Sequence, residues 1–104
     1  MLYVTTETIP GRNIQPLGLV MGNTIQSVHL GKDIMNSFKT IVGGELTSYN
    51  EMMTDARNIA LERMLEDAQR MNADAIVAMR FTTASISQGA AEILAYGTAV
   101  KFID

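Results

Sequence analysis

The chemistry available to this chain is narrow. His29 is the only histidine, and it stands just before Gly31-Lys32-Asp33 at the end of an apolar segment. By type an imidazole beside a loop serves as a general base or a metal ligand. No cysteine and no second histidine occur to complete a site, so His29 reads as a surface or partly packed residue. One arrangement would change that: copies of the chain around a ring axis could converge His29, or the turn-region carboxylates Glu7 and Glu45. Asp33 and Glu92 also lie near element ends, but no calcium-loop spacing links any of these acids.

Eight methionines raise soft-metal thioether ligation as a second chemistry. Met52, Met53, Met64 and Met71 share one helical stripe, however, which is the placement of core-filling residues. Met21, Met35 and Met79 fall on apolar faces and take the same reading. Arg80 is the most unusual single residue, a guanidinium in mid-strand between Ala78 and Thr82 that must snorkel, pair or meet an anion. The pairing expected is with Glu92 across a hairpin or with a neighbouring subunit, and a ligand clamp is the alternative. Phosphate loops fail on spacing, because Gly31-Lys32 is followed by Asp33 and preceded five residues back by Gln26. Without G-x-S-x-G, H-E-x-x-H or a second histidine, no catalytic constellation is visible.

The elements that must position these residues belong to one domain, 1–104, since 104 residues supply a single core. The chain is 47% hydrophobic and only 18% charged, against about 25% charged in average soluble domains. Polar side chains are therefore scarce for covering a small body, and some apolar surface is expected to meet another copy. A net charge of −3 with scattered Lys and Arg excludes the clustered positive field that nucleic acid or an anionic membrane requires. With no leader-like start and no apolar run near membrane length, the expected compartment is the cytoplasm.

Along the chain, Leu2 to Thr6 reads as a strand ended by Pro10-Gly11. Ile14 to Leu30 alternates as an extended segment, with Pro16 placing its start on a sheet edge and Gly22-Asn23 suggesting a bulge. Ile34, Met35, Phe38, Ile41 and Val42 follow a helical period that Gly43-Gly44 stops. Ser48-Tyr49-Asn50-Glu51 is a capping box, and the helix it opens runs to about Met71. Glu66 and Arg70 are spaced within it for an ion pair. Ala75 to Thr83 and Glu92 to Ile103 then form an antiparallel hairpin. Val77, Met79 and Phe81 should share one face of the first strand. In the second, the small face of Ile93, Ala95, Gly97 and Ala99 is too apolar for water and is expected to pack against another copy, with Gly97 permitting close approach.

Several segments carry a family likeness: Thr5-Thr6-Glu7-Thr8-Ile9-Pro10-Gly11, Gly31-Lys32-Asp33-Ile34, Val42-Gly43-Gly44-Glu45-Leu46, Ala56-Arg57 with Ala60-Leu61-Glu62-Arg63-Met64, and the long run from Gly89 to Val100. Together they resemble the YbjQ family of small bacterial proteins over the whole chain. The resemblance implies an α+β subunit of dodecin-like form, β-β-α-α-β-β, whose antiparallel sheet carries a short and a long helix on one face. It also implies a ring-shaped homopentamer, and it brings a heavy-metal-binding label with no catalytic residues. The donor types fit that label poorly. The expectation is a non-enzymatic, cofactor-free oligomeric scaffold or small-ligand-binding protein, with a ligand held at subunit interfaces near Arg80, Glu92 or Gly97. A metal-binding protein with ligands shared between subunits is the alternative.

Overall fold

The computed structural model describes residues 1–27, 41–42, 45–87 and 89–104. Its strands are β1 (Leu2–Tyr3), β2 (Ile14–Ser27), β3 (Ile41–Val42), β4 (Glu45–Leu46), β5 (Ala75–Ser87) and β6 (Ala90–Phe102), with one helix, α1 (Thr47–Arg70), between β4 and β5. Four strands form a sheet in the order β1-β5-β6-β2, and β3 pairs with β4 in a separate ribbon. The long strands are antiparallel as expected, and β2 lies on an edge, where the missing N–H of Pro16 is tolerated.

The element order departs from β-β-α-α-β-β. The expected short helix falls mostly outside the described residues, but its last two positions, Ile41 and Val42, are strand, with Val42 opposite Glu45. Both are β-branched and stand at hairpin spacing from their partners, local signals that favour strand at these two positions. At the N-terminus only Leu2 and Tyr3 pair, parallel to β5 at Ala75 and Ile76. Beyond them Val4 N–H donates to the Ile76 carbonyl at 2.9 Å, and the Ala78 and Met79 amides donate to the Thr6 and Val4 carbonyls at 2.8 and 3.0 Å.

Helix α1 begins within a residue of the capping box and ends in a Schellman turn. Asn72 adopts φ 56°, Ala73 N–H reaches the Ala68 carbonyl at 3.2 Å and Asn72 N–H the Gln69 carbonyl at 3.0 Å. The turn is stitched to β6, because Asp74 N–H donates to the Val100 carbonyl at 2.9 Å and the Asp74 carboxylate accepts from Phe102 N–H at 2.8 Å. Arg70 pairs with Asp67 at 3.5 Å and not with Glu66; one turn of helix brings either acid within reach, and the i,i+3 rotamer is the one adopted.

The core forms where α1 lies across β2 and β6. Ala56, Ala60, Met64 and Ala68 are fully buried against Val20, Ile93, Ala95 and Ala99. Small residues on both sides let the backbones approach, and Gly22 is the extreme case. A Cβ there would overlap the backbone of Met64, Ala60 and Arg63. Gly22 therefore marks helix contact and not a bulge. The irregularity of β2 lies at Leu17, between Pro16 and Gly18, where the absent proline amide has already interrupted the ladder.

This arrangement corrects the assignment of the small β6 face to a neighbouring copy. The chain's own helix covers it, because small side chains that offer water little polarity also offer a helix its closest seat. Gly97 does permit a tight approach, but within the chain: a Cβ would stand 2.7 Å from Ile76 Cγ2 and 3.1 Å from Met79 Cβ. A bulge in β5 creates that crowding, since Ala78 and Met79 together oppose Gly97, with Ala78 at φ 53°. The extra residue flips the strand's phase, so Ile76 and Met79 turn toward the helix side and Val77 away. Val77, expected to share a face with Met79, instead joins Ala75 and Val100 in a second cluster under Val4, Ile9, Ile14 and Phe102.

Candidate functional site

Among the described residues, the helix and the N-terminal segment leave part of the sheet uncovered. Registers across β2, β6 and β5 place Leu19, Thr98 and Val77 in one row, then Met21, Tyr96 and Arg80, then Asn23, Leu94 and Thr82, then Ile25, Glu92 and Ala84. Alternation sends all of these to the side away from α1, because their neighbours Val20, Gly22, Thr24, Ile93 and Ala95 are the buried set. Leu19, Met21 and Ile25 expose 57%, 46% and 55% of their surface. Met21, expected in the core, is thus on the bare side, and Met71 is 40% exposed at the helix end. Met64 and Met79 are buried as core filling.

At one end this face sinks into a concavity of about 340 Å³ lined by Glu7, Ile14, Pro16, Val77, Ala78, Thr98 and Val100. The β5 bulge and the irregularity at Leu17 shape its walls, and Glu7 supplies the only charge. A second concavity of about 220 Å³ lies near the helix start, among Tyr49, Met52, Met53, Gln26 and the tips of β5 and β6.

Arg80 sits on the bare face but serves the backbone. Its Nη1 donates to the Thr5 carbonyl at 2.9 Å and to its neighbour Met79's carbonyl at 2.8 Å, holding the N-terminal segment over the bulge. The expected pair with Glu92 does not form. The register puts Arg80 opposite Tyr96 and Glu92 opposite Ala84, four residues further along each strand, which is roughly 13 Å at about 3.3 Å per residue. Glu92 instead accepts from Asn23 Nδ2 at 3.0 Å. Arg80, Glu92 and Gly97 therefore do not converge.

The metal candidates separate likewise. Glu7 lines the concavity, Glu45 contributes backbone to β4, and His29 lies outside the described residues. Among the described residues no three of His, Cys, Asp or Glu come together, and every buried side-chain nitrogen and oxygen has a hydrogen-bond partner. A single subunit's described donors do not fit a heavy metal, which prefers thiolate, imidazole or accessible thioether. Among the described residues, no helix is long and apolar enough to cross a membrane.

Two side chains act on the outer edge of β2: Asp67, whose place on the helix reads as part of a solvated face, and Arg63. The Asp67 carboxylate accepts from Met21 N–H at 3.1 Å, and Arg63 Nη1 donates to the Asn23 carbonyl at 2.7 Å. On a helical wheel both look like solvated charge; only the docking of α1 along β2 reveals that they cap a strand.

Comparison with known proteins gives a consistent likeness. The YbjQ family model, described as "Putative heavy-metal-binding", matches residues 1–103. A UPF0145 protein of Vibrio campbellii is 60% identical over 104 residues, covering 99% of this chain and 100% of that one. A UPF0145 protein of Clostridioides difficile is 59% identical over 105 residues, covering 100% and 94%, and one of Thermosipho melanesiensis is 57% identical over 104 residues, covering 99% and 96%. Among solved structures, a protein of unknown function from Pediococcus pentosaceus, of the DUF74 family, superposes with a TM-score of 0.65 at 13% identity, covering 99% of this chain and 98% of that chain. That likeness establishes a shared fold.

Proposed function

The chain belongs to the YbjQ family, and from that membership we propose that it works as a non-catalytic, self-assembling scaffold in the bacterial cytoplasm that holds a small apolar ligand. The observation that carries the reading is the sheet face that the described residues leave uncovered, where Leu19, Met21 and Ile25 stand half exposed beside Leu94 and Tyr96. An antiparallel sheet normally turns a polar face to water, and this one turns aliphatic and aromatic side chains. A second copy is the occupant that suits it, because the low charge content recurs on every copy and apolar burial needs no specific polar match. The family resemblance favours a five-subunit ring. The Glu7-rimmed concavity adjoins the face, so assembly would deepen it toward the enclosure that small-molecule sites require.

Light scattering across micromolar concentrations tests this. Wild type should elute as an oligomer and Leu19→Lys should shift it toward single chains with its helix content intact. A wild-type protein that stays monomeric defeats the proposal. Metal binding through ligands shared between subunits is the second reading, supported by the family description. It requires metal to co-purify in fixed ratio to the ring.

A further inference from the structure

We propose that the concavity between the N-terminal segment and the bulge of β5 binds a small organic amine, a protonated nitrogen on a compact hydrocarbon body, with Glu7 as its counter-ion. The assignment depends on the ligand-holding role proposed above and not on contact between copies.

Two backbone irregularities shape the walls. In β5 the extra residue at the bulge turns Val77 to the side away from α1, and β2 shifts register between Pro16 and Gly18, opposite Val100 and Ala99. The resulting space of about 340 Å³ falls within the roughly 300–1,000 Å³ of small-molecule sites. Val77 and Val100 are buried and give it a fixed apolar floor. Ala78 lines the same space at φ 53°, a left-handed conformation that alanine seldom adopts. Strain of this kind persists only where the surroundings enforce it, and it gathers at ligand sites.

Glu7 is fixed by its neighbours and not by its own side chain. Arg80 Nη1 donates to the Thr5 carbonyl at 2.9 Å, Ala78 N–H to the Thr6 carbonyl at 2.8 Å, and Thr6 Oγ1 to the Thr8 carbonyl at 2.8 Å. Backbone on both sides of Glu7 is thereby held, which lowers the ordering cost of binding through it. Among the described residues the Glu7 carboxylate has no hydrogen bond or ion pair, whereas Asp67, Asp74, Glu92 and Asp104 are all engaged. Thr98, in the same lining, adds a hydroxyl with no described partner, a second acceptor for an ammonium group. Glu51 and Asp55 line a hollow too, but their companions there are Asn50 and Thr54 and no apolar wall backs them.

This lining discriminates between ligands. A hard divalent cation is held by several protein oxygens, and one carboxylate with one hydroxyl falls short of that. An anion would meet Glu7 as a like charge, with no cation in the lining to offset it. A neutral apolar molecule suits the walls and leaves the carboxylate unused. An ammonium on a compact hydrocarbon uses both, because its N–H groups meet oxygen while its carbon displaces water from Val77, Val100 and Pro16.

Cyclohexylammonium chloride is the probe, with cyclohexanol as the neutral counterpart and cyclohexanecarboxylate as the anionic one. Methyl NMR titration of the wild-type protein should show shifts at Val77, Ala78 and Thr98 with the amine, weaker binding of the alcohol and none of the carboxylate. Glu7→Gln should weaken amine binding about tenfold, the loss of one charge-assisted hydrogen bond, and leave alcohol binding unchanged. Glu7 is exposed, so that variant should fold as the wild type does. Added sodium chloride gives a readout that needs no variant: it should weaken the amine and not the alcohol. Equal binding of amine and alcohol, unmoved by Glu7→Gln or by salt, overturns the amine assignment and leaves the apolar-ligand reading standing. Shifts confined to Leu19, Met21 and Ile25 overturn it as well, since they put the probe on the open sheet face. Failure of all three probes to bind overturns both.

Discussion

Replacing Gly22 by alanine is a one-carbon change whose sign discriminates between two pictures of this fold. In an ordinary edge strand the substitution stabilises by about 0.4–1 kcal/mol, because alanine loses less conformational freedom on folding. Gly22 has no positive φ to protect. What it has is the helix: the added Cβ would overlap Met64 N and the Ala60 carbonyl, with Arg63 C 2.6 Å away. These are backbone atoms in mid-helix, so no rotamer change relieves the overlap. The helix must lift or β2 must recede, and either opens space around Ala60 and Val20, both fully buried. Overpacking of this kind costs about 1–3 kcal/mol, and rigid backbone on both sides puts Gly22→Ala at about 3 kcal/mol. Using about 2.1 cal/mol/K of unfolding entropy per residue, that lowers Tm by about 14 °C. Gly97→Ala provides the internal comparison, since its nearest obstacle at 2.7 Å is a side-chain methyl of Ile76, which can yield. Its expected cost is about 1 kcal/mol, or about 5 °C in Tm. Differential scanning calorimetry on both variants settles the order. A Gly22→Ala protein that melts at or above wild type would show that α1 does not sit directly on β2, and the account of the core would fall with it.

Arg80→Ala should cost about 1.5 kcal/mol in denaturant unfolding, the lower end of the range for charged hydrogen bonds because the side chain is exposed; a loss of binding to an anionic ligand with unchanged stability would restore the clamp reading. Asp67→Ala combined with Arg63→Ala uncaps the β2 edge and should produce species larger than those the wild type forms in sedimentation, whereas an unaltered profile would mean those caps do not guard the edge. Untagged protein should carry no stoichiometric zinc or copper by elemental analysis, and His29→Ala should leave stability within about 1 kcal/mol of wild type; a metal at one per subunit or one per ring that vanishes in that variant would make shared-ligand metal binding the leading reading.

Local signals in the sequence located α1 and the β5–β6 hairpin well, since a capping box, a helical stripe and strand alternation each act over a few residues. The helix end expected at about Met71 falls at Arg70, and the turn that follows is built from Met71, Asn72, Ala73 and Asp74. What local pattern could not supply was the phase of β5 beyond Ala78. One extra residue at a bulge inverts a period of two, and nothing in Val77-Ala78-Met79 announces it. The same limit explains Gly22, where the reason for glycine lies forty residues away on the helix. Arg80 was singled out as needing partners, and it has them, but a backbone carbonyl has no sequence identity to predict. Glu92 finds Asn23 across the sheet for the same reason: the partner is set by register, and register is decided by bulges.

The small face of β6 shows how a correct observation led to the wrong neighbour. Ile93, Ala95, Gly97 and Ala99 are indeed too apolar for water, and all four are buried. The step that failed was assigning the larger side chains to the helix. A helix packs about 8–10 Å from its neighbour depending on the side chains between them, so the face with the least bulk accepts it most closely. Gly22, Ala95, Ala56 and Ala60 together form such a contact. The bulkier side chains, Leu19, Met21, Ile25, Leu94 and Tyr96, are then left outside. They offer more apolar area than the small face does, and hydrophobic association scales with that area. The argument for self-association therefore survives the exchange of faces, and it rests on the side chains better able to drive it.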